Sequence, residues 1–315
     1  MEYKYLGNTG IKVSEFCLGA LPLGPLQSDI GVTEGGRLIR LALEHGINFV
    51  DTAQLYGTYP HIRAALEGYG GQVVINSKSF AASYEDMEQA VQQALGEMGL
   101  EQIDMFLLHA AREKPDVFEK RAAAWECLQE YKRKGYIRAI GISTHNVKTV
   151  EAAALIPEVD IIFPLINSKG LGILDGDKDT MLAAIAKAAE TGKGLYAMKA
   201  LAGGALLSEL PQALEFTRKV PGIASVALGV TTEAELLMDL KLFNGKALTE
   251  QELATLTRNK RLCIMSFCRG CGACAESCIN GAITMKEGKP QVDTTKCVLC
   301  GYCTPRCPEF AIRLK

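Results

Sequence analysis

No apolar run in the 315 residues reaches membrane-spanning length, so no transmembrane helix is expected. The opening MEYKYLGNTG has neither a long apolar core nor a small-residue cleavage site, which argues against a secretory leader. Lys and Arg (34) nearly balance Asp and Glu (36), and no basic run is long enough for a nucleic-acid footprint. Also missing are a G-x-G-x-x-G after the first strand candidate, a Walker A loop and a recognisable flavin motif. These absences leave a chain of ordinary composition, 48% hydrophobic with a net charge of -2, expected in a reducing cytoplasm with no nucleic-acid or membrane partner.

Cysteine, by contrast, is plentiful: there are 11, eight of them between positions 268 and 307. The run CVLCGYCTPRCP places Cys297, Cys300, Cys303 and Cys307 at the intervals that Cys268, Cys271, Cys274 and Cys278 show in CRGCGACAESC. Shifting one run by 29 residues also superposes Ala282 on Ala311 and Ile283 on Ile312, so the segment is an internal duplication. Disulfides are not expected in a reducing compartment, and zinc ribbons use pairs of C-x2-C rather than duplicated triplets with a fourth cysteine. The spacing resembles that of bacterial two-cluster ferredoxins, in which the fourth cysteine of each run ligates the other cluster. The resemblance implies two [4Fe-4S] clusters, one on Cys268, Cys271, Cys274 and Cys307, the other on Cys297, Cys300, Cys303 and Cys278. The first run departs from the pattern at Ile279, where the second has Pro308. Cys17, Cys127 and Cys263, flanked mainly by apolar residues, read as small buried hydrophobes.

Before this segment, a short hairpin turning at Asn8, Thr9 and Gly10 leads into eight strand candidates: EFCLG, INFV, VVINS, DMFLL, RAIGIS, DIIFPL, LYAM and ASVAL. Helix-period segments lie between them, such as GGRLIRLALEHG and YEDMEQAVQQALGEMGL, the latter with Ser83 as N-cap. Eight β-then-α units predict an α/β (β/α)8 TIM barrel over 1–245; a doubly wound open sheet is the alternative. ALTEQELATLTRNKRL, 247–262, reads as a polar amphipathic helix within a helical linker, 246–262, to a small α+β two-cluster ferredoxin-like domain over 263–315.

Such a barrel keeps its chemistry where its strands end. INFV runs into Asp51, VVINS into Lys78 and DMFLL into His109, and Tyr56 follows Asp51 in VDTAQLYG. Tyrosine is a weak acid near pKa 10, but an adjacent ammonium lowers that value. Lys78 is expected to supply the charge, Asp51 to hold Lys78, and His109 to orient a carbonyl oxygen. Taken singly, each residue has a plain structural role open to it; falling together at strand mouths, they suit proton donation to a carbonyl. His45 and His61, in helical patterns, and His145, after the fifth strand, read as structural or solvated.

The barrel resembles the aldo-keto reductases throughout, in GNTGIKVSEFCLGA, NFVDTAQLYG, INSKS, FLLHA, GISTHN and AMKALAGGALL. The resemblance makes Asp51, Tyr56, Lys78 and His109 the catalytic tetrad, with Tyr56 as general acid beside NAD(H) or NADP(H). It implies cofactor contacts from Ser143, Thr144, Asn167, Met198, Gly229, Thr231 and Glu235. Thr144 and Phe163 replace the usual carboxamide-anchoring Asn and Gln. Glu235 stands where NADPH-selective relatives carry an arginine, which argues for NADH or for no nicotinamide at all; a T-x-x-E capping box with Thr232 is the structural alternative. The expected function is reduction of a small-molecule aldehyde or ketone, coupled to or regulated by the clusters. One alternative is a nicotinamide-independent reductase fed single electrons by ferredoxin. Another is an electron-transfer or redox-sensing module with a non-catalytic barrel. The loop at 167–179 is expected to shape the pocket.

Overall fold

The computed structural model describes residues 1–255, 261–278, 280–297, 303–304, 306–309 and 311–314. Cys300, Ile279 and the linker residues 256–260 lie outside the described residues.

The chain opens on an antiparallel hairpin of β1 (Tyr3–Tyr5) and β2 (Lys12–Ser14), its loop closed by a 2.7 Å hydrogen bond from the Thr9 hydroxyl to the Leu6 carbonyl. Eight strands follow: β3 (Phe16–Gly19), β4 (Phe49–Asp51), β5 (Val74–Ser79), β6 (Ile103–His109), β7 (Ile137–Thr144), β8 (Ile161–Pro164), β9 (Gly194–Ala197) and β10 (Ile223–Leu228). They are the eight segments predicted from the sequence. All pair in parallel in chain order, and β10 returns to β3 to close the barrel. Closure at this tightness needs a glycine: a Cβ on Gly141 of β7 would lie 1.8 Å from the Ile161 carbonyl oxygen of β8.

The surrounding helices are α1 (Val32–Glu44), α2 (Tyr59–Leu66), α3 (Tyr84–Met98), α4 (Val117–Lys120), α5 (Ala122–Arg133), α6 (Val147–Leu155), α7 (Lys178–Glu190), α8 (Leu210–Arg218) and α9 (Glu233–Phe243). Ser83 caps α3 through the Asp86 N–H, as its place ahead of an acidic first turn predicts. Asn146 caps α6, and Asp177 with Thr180 forms a reciprocal capping box on α7.

Side chains alternate across a strand, so one parity of each strand faces the barrel axis. Phe49, Val74, Met105, Leu107, Ala139, Ile161, Phe163 and Tyr196 form this inner core, and Leu6, Ile11 and Val13 of the hairpin pack into it. The opposite parity packs under the helices in a larger apolar layer. Cys17 belongs to the inner core and Cys127 to the outer layer, both buried as expected; Cys263 is half-buried.

Beyond the barrel the linker helix is shorter than predicted. Its described part is α10 (Glu250–Thr255), and Leu262 already opens strand β11 (Leu262–Ile264). Its partner is the last strand of the chain, which a local helical pattern cannot reveal. Between them lie α11 (Ala273–Glu276) and the hairpin of β12 (Ile283–Lys286) and β13 (Lys289–Val292). Strand β14 (Ile312–Leu314) pairs antiparallel with β11, setting Arg313 opposite Cys263. A small core of Leu262, Met265, Ile283, Ala311 and Ile312 includes the buried Cys274, Cys303 and Cys307.

Candidate functional site

The inward parity of the barrel strands ends in polar side chains at one rim. Register places Asp51 beside Asn76, Lys78 beside Leu107, and His109 beside Ser143. Lys78 Nζ, almost fully buried, donates to both oxygens of Asp51 at 2.9 and 2.7 Å and to the Thr52 carbonyl at 2.7 Å. Asp51 Oδ1 also accepts from Asn76 Nδ2 at 2.8 Å and from the Tyr196 hydroxyl at 3.0 Å. Burial, the largest single influence, disfavours the ammonium, but the Asp51 carboxylate together with Tyr56 and Cys17 more than offsets it, and Lys78 stays charged with its pKa raised.

Tyr56 closes a short 3-10 turn, Gln54–Tyr56, and Gly57 after it takes the left-handed conformation, φ 65°, which turns the chain away at once. Lys78 Nζ lies 4.9 Å from the centre of the Tyr56 ring. The expected lowering of the Tyr56 pKa is corrected here. Burial, the largest influence, raises it, and the pull of Lys78 offsets this only in part. The phenol therefore keeps its proton at neutral pH.

The His109 ring stands edge-on to Tyr56, with centroids 5.9 Å apart, and stacks on Phe80 at 4.1 Å. Burial first, and then the Lys78 charge, push its pKa well below the ordinary histidine value, so the imidazole is neutral. Arg121 steadies this corner from behind, donating to the carbonyls of Ser79, Ala81 and His109 at 2.9 to 3.1 Å.

Asp51, Tyr56, Lys78, Phe80 and His109 line one cleft of roughly 570 Å³. Ser143, Met198, Gly229, Thr231 and Glu235 line it too, but Thr144 and Asn167 do not. The Thr144 hydroxyl accepts from the Asn146 N–H at 3.1 Å, holding the turn after β7. The Asn167 amide is spent on its own loop, donating to the Leu171 carbonyl at 2.9 Å and accepting from the Leu171 N–H at 3.0 Å. Phe163 forms part of the wall, stacked on Tyr196 at 3.8 Å. Thr232 accepts from the Glu235 N–H as the helix cap, while Glu235 Oε2 accepts from both the N–H and the hydroxyl of Thr231 at 2.8 Å. The carboxylate thus lies against the first turn of α9.

The C-terminal segment supplies the remaining wall, through Phe267, Glu309 and Arg313. Strand β14 packs against the turn at Ala202–Gly204, and Arg112 donates to the Pro308 carbonyl and lies 3.7 Å from Glu309. Arg313 is buried, its pKa pushed down to about 10, and it acts electrostatically on both Tyr56 and Cys307. His145, read above as structural or solvated, lines the cleft, its pKa pushed down to about 3 by burial and then by Lys199, Arg313 and Arg112. His61 is structural, its Nε2 2.7 Å from the Ile30 carbonyl oxygen.

Several of these residues escaped the sequence reading. Tyr196 lies two positions before Met198 and so shares its inward parity. Arg313 carries a signal of its own: the 29-residue shift sets it on Thr284, a break in the duplication.

Among the described cysteines none is in a disulfide. Cys278 accepts from the Ala282 N–H and Cys307 from the Ala311 N–H, each at 3.2 Å, and Cys268 accepts from the Gly270 N–H at 3.4 Å. The first two contacts are images of each other under the duplication, and such N–H to sulfur bonds suit cluster thiolates. The groups acting on Cys274 include Cys307 and Cys268, which agrees with one cluster drawing its ligand from the other run. Among the described residues, which omit Cys300, no three Cys, His, Asp or Glu side chains form a single-ion site.

Residues 15–216 match the aldo/keto reductase family, and the chain belongs to it. Residues 267–311 match the 4Fe-4S dicluster domain. The chain thus joins a barrel of the aldo/keto reductase family to a ferredoxin-type appendage. It is 30% identical over 179 residues to the uncharacterized oxidoreductase YtbE of Bacillus subtilis, covering 53% of this chain but only 58% of that relative. The L-glyceraldehyde 3-phosphate reductase of Escherichia coli is 25% identical over 295 residues, 83% of this chain and 82% of that one. The crystal structure of PA4992 from Pseudomonas aeruginosa, assigned to the aldo-keto reductases, superposes with TM-score 0.67 at 27% identity, over 77% of this chain and 95% of that one. Among the described residues no helix is long and apolar enough to cross a membrane.

Proposed function

We propose that the protein reduces an aldehyde or ketone with hydride from a nicotinamide, NADH in preference to NADPH, and that Tyr56 is the general acid. The observation that carries this is the convergence of Tyr56, Lys78, His109 and Asp51 on one cleft that also reaches the start of α9. Bound there, the nicotinamide would supply the hydride to the carbonyl carbon. The neutral His109 offers its one N–H to the carbonyl oxygen. Tyr56 holds its proton until negative charge develops on that oxygen, then donates it. Lys78 stabilises the phenolate left behind, and Asp51, saturated with donors, keeps the ammonium in place. Ser143, Met198, Gly229 and Thr231 would hold the cofactor, while Glu235 would repel a 2'-phosphate.

A second reading is favoured by Phe163 and Thr144, which offer no amide to a carboxamide, and by Arg313, which feels both Tyr56 and Cys307. In it the same acid protonates a substrate that takes electrons singly from the clusters, fed by a ferredoxin.

Both readings are separated by assaying protein reconstituted anaerobically to about eight irons per chain. Carbonyl-dependent oxidation of NADH, faster than of NADPH and abolished in Tyr56→Phe, is the expected result. Turnover with chemically reduced clusters but with neither nicotinamide would establish the second reading instead.

A further inference from the structure

The cleft bares large apolar side chains at its mouth. Leu55, Phe80 and Phe267 line it and keep 55%, 51% and 47% of their surfaces exposed. Leu55 and Phe80 belong to the barrel, but Phe267 comes from the appendage, in the turn between β11 and the first cysteine run. Apolar side chains gathered around a cleft and left half-open mark a place that a ligand covers.

Phe267 is also the chain neighbour of Cys268, so the two Cα atoms are about 3.8 Å apart. Glu309, on the same wall, follows Cys307 by two residues, a span of no more than about 7 Å. Cys268 and Cys307 are distant in sequence, yet the ferredoxin resemblance puts them on one cluster, with Cys271 and Cys274. Two flanks of a single ligand set therefore line the cleft. Among the described residues, none within two positions of Cys278, Cys297 or Cys303 does so.

The two flanks are tied to each other and to the barrel. Arg269, beside Cys268, lies 3.5 Å from Glu309; Arg112, of the loop after β6, lies 3.7 Å from the same carboxylate and donates to the Pro308 carbonyl. The Cys268 N–H donates to the Met265 carbonyl at 3.0 Å, and the Met265 N–H to the Ala311 carbonyl at 2.7 Å. These bonds fix the Phe267 turn on the segment that leads into β14.

We propose that Phe267 is a ligand-contact residue which, with Leu55 and Phe80, holds a neutral apolar ligand against the loop of the cluster on Cys268, Cys271, Cys274 and Cys307, and that the ligand binds more tightly when this cluster is oxidised. The direction follows from solvation. Cluster potentials depend on solvent exposure, and reduction adds a negative charge that nearby water stabilises. A ligand that displaces this water disfavours the reduced form, and by reciprocity the reduced form disfavours the ligand. The other cluster takes no part. The inference rests on the cysteine sets above and goes beyond the reductase reading, since it holds whichever donor supplies the electrons.

The test uses full-length protein reconstituted anaerobically and benzamide, a neutral aromatic amide that such clusters do not reduce. Calorimetry is expected to show benzamide binding about tenfold more tightly to oxidised than to dithionite-reduced protein. Cys271→Asp and Cys300→Asp each mark one cluster, because a cubane short of one thiolate loses an iron and gives a distinct paramagnetic resonance signal. With benzamide the potential of the cluster marked by Cys271→Asp should fall by about 59 mV, the one-electron equivalent of tenfold, and that of the cluster marked by Cys300→Asp should stay in place. If a variant loses its marked cluster outright, the shift is read on the cluster that remains. Phe267→Ala should weaken binding to the oxidised protein about tenfold at unchanged iron content, with Phe267→Leu recovering part of it. No shift, an upward shift, equal shifts in both clusters or binding indifferent to Phe267 would overturn the proposal, as would failure of benzamide to bind. Turnover judges the reductase reading separately: that reading can fail with this coupling intact, and the coupling can fail in an active enzyme.

Discussion

The barrel rim and the cysteine-bearing segment fix their functional side chains in opposite ways. At the rim the fold comes first: strand register delivers Asp51, Lys78 and His109, and the Asp51 carboxylate is saturated by Lys78, Asn76 and Tyr196. Among the described residues of the C-terminal segment, two short two-stranded ladders accompany a core in which cysteines are major members. A region of roughly fifty residues with so small an apolar core usually needs a staple. The lesson is that the barrel creates its site, whereas the appendage is expected to be created by what it binds.

Stripping iron with a chelator under anaerobic conditions is the harshest trial of that contrast. Hydrogen exchange should lose protection throughout β11, β12 and β14, while β5 and β6 keep theirs; a protected apo appendage would erase the distinction. Next in size, Tyr56→Phe should lower carbonyl turnover by about a hundred- to ten-thousand-fold without changing iron content, which puts the chemistry in the barrel. Lys78→Met leaves the Asp51 carboxylate buried without its counter-ion, so urea unfolding should show the barrel destabilised by about 3–5 kcal/mol. Equal stability would mean the rim is less constrained than its geometry indicates.

The smallest expected effect is a pH slope at the joint between the two regions. His145 has a folded pKa of about 3. The unfolded histidine, with a pKa near 6.5, binds the proton first, so stability is complete above about pH 6.5 and declines as pH falls toward 3. The slope is up to about 1.4 kcal/mol per pH unit. Urea midpoints at pH 6, 5 and 4 measure it, and His145→Gln should reduce it, leaving the share of His109, whose pKa burial also depresses.

How legible all this was depended on how local the cause is. Strand alternation and capping residues are local, and so the eight barrel strands, Ser83 and the rim residues could be read directly. Cysteine spacing is local too, and it pointed to the dicluster match. Thr144 and Asn167, cofactor contacts by the family resemblance, are each hydrogen-bonded within their own turn, an arrangement that loop conformation decides. The sign of the Tyr56 pKa shift was missed because burial is a property of the whole rim, not of the Lys78 neighbour alone. Leu262 read as helix because its β-partner is at the far end of the chain. Arg313 is hard to read for a related reason: the duplication marks the positions that match, and this residue falls opposite Thr284, at one that does not.

Because β14 both completes the appendage and walls the cleft, independence along the sequence is not independence in space. Cutting the chain after α9 would not leave the barrel's cleft intact. It would remove Phe267, Glu309 and Arg313 from the wall and admit solvent beside the phenol, so a trimmed version should be treated as a different molecule.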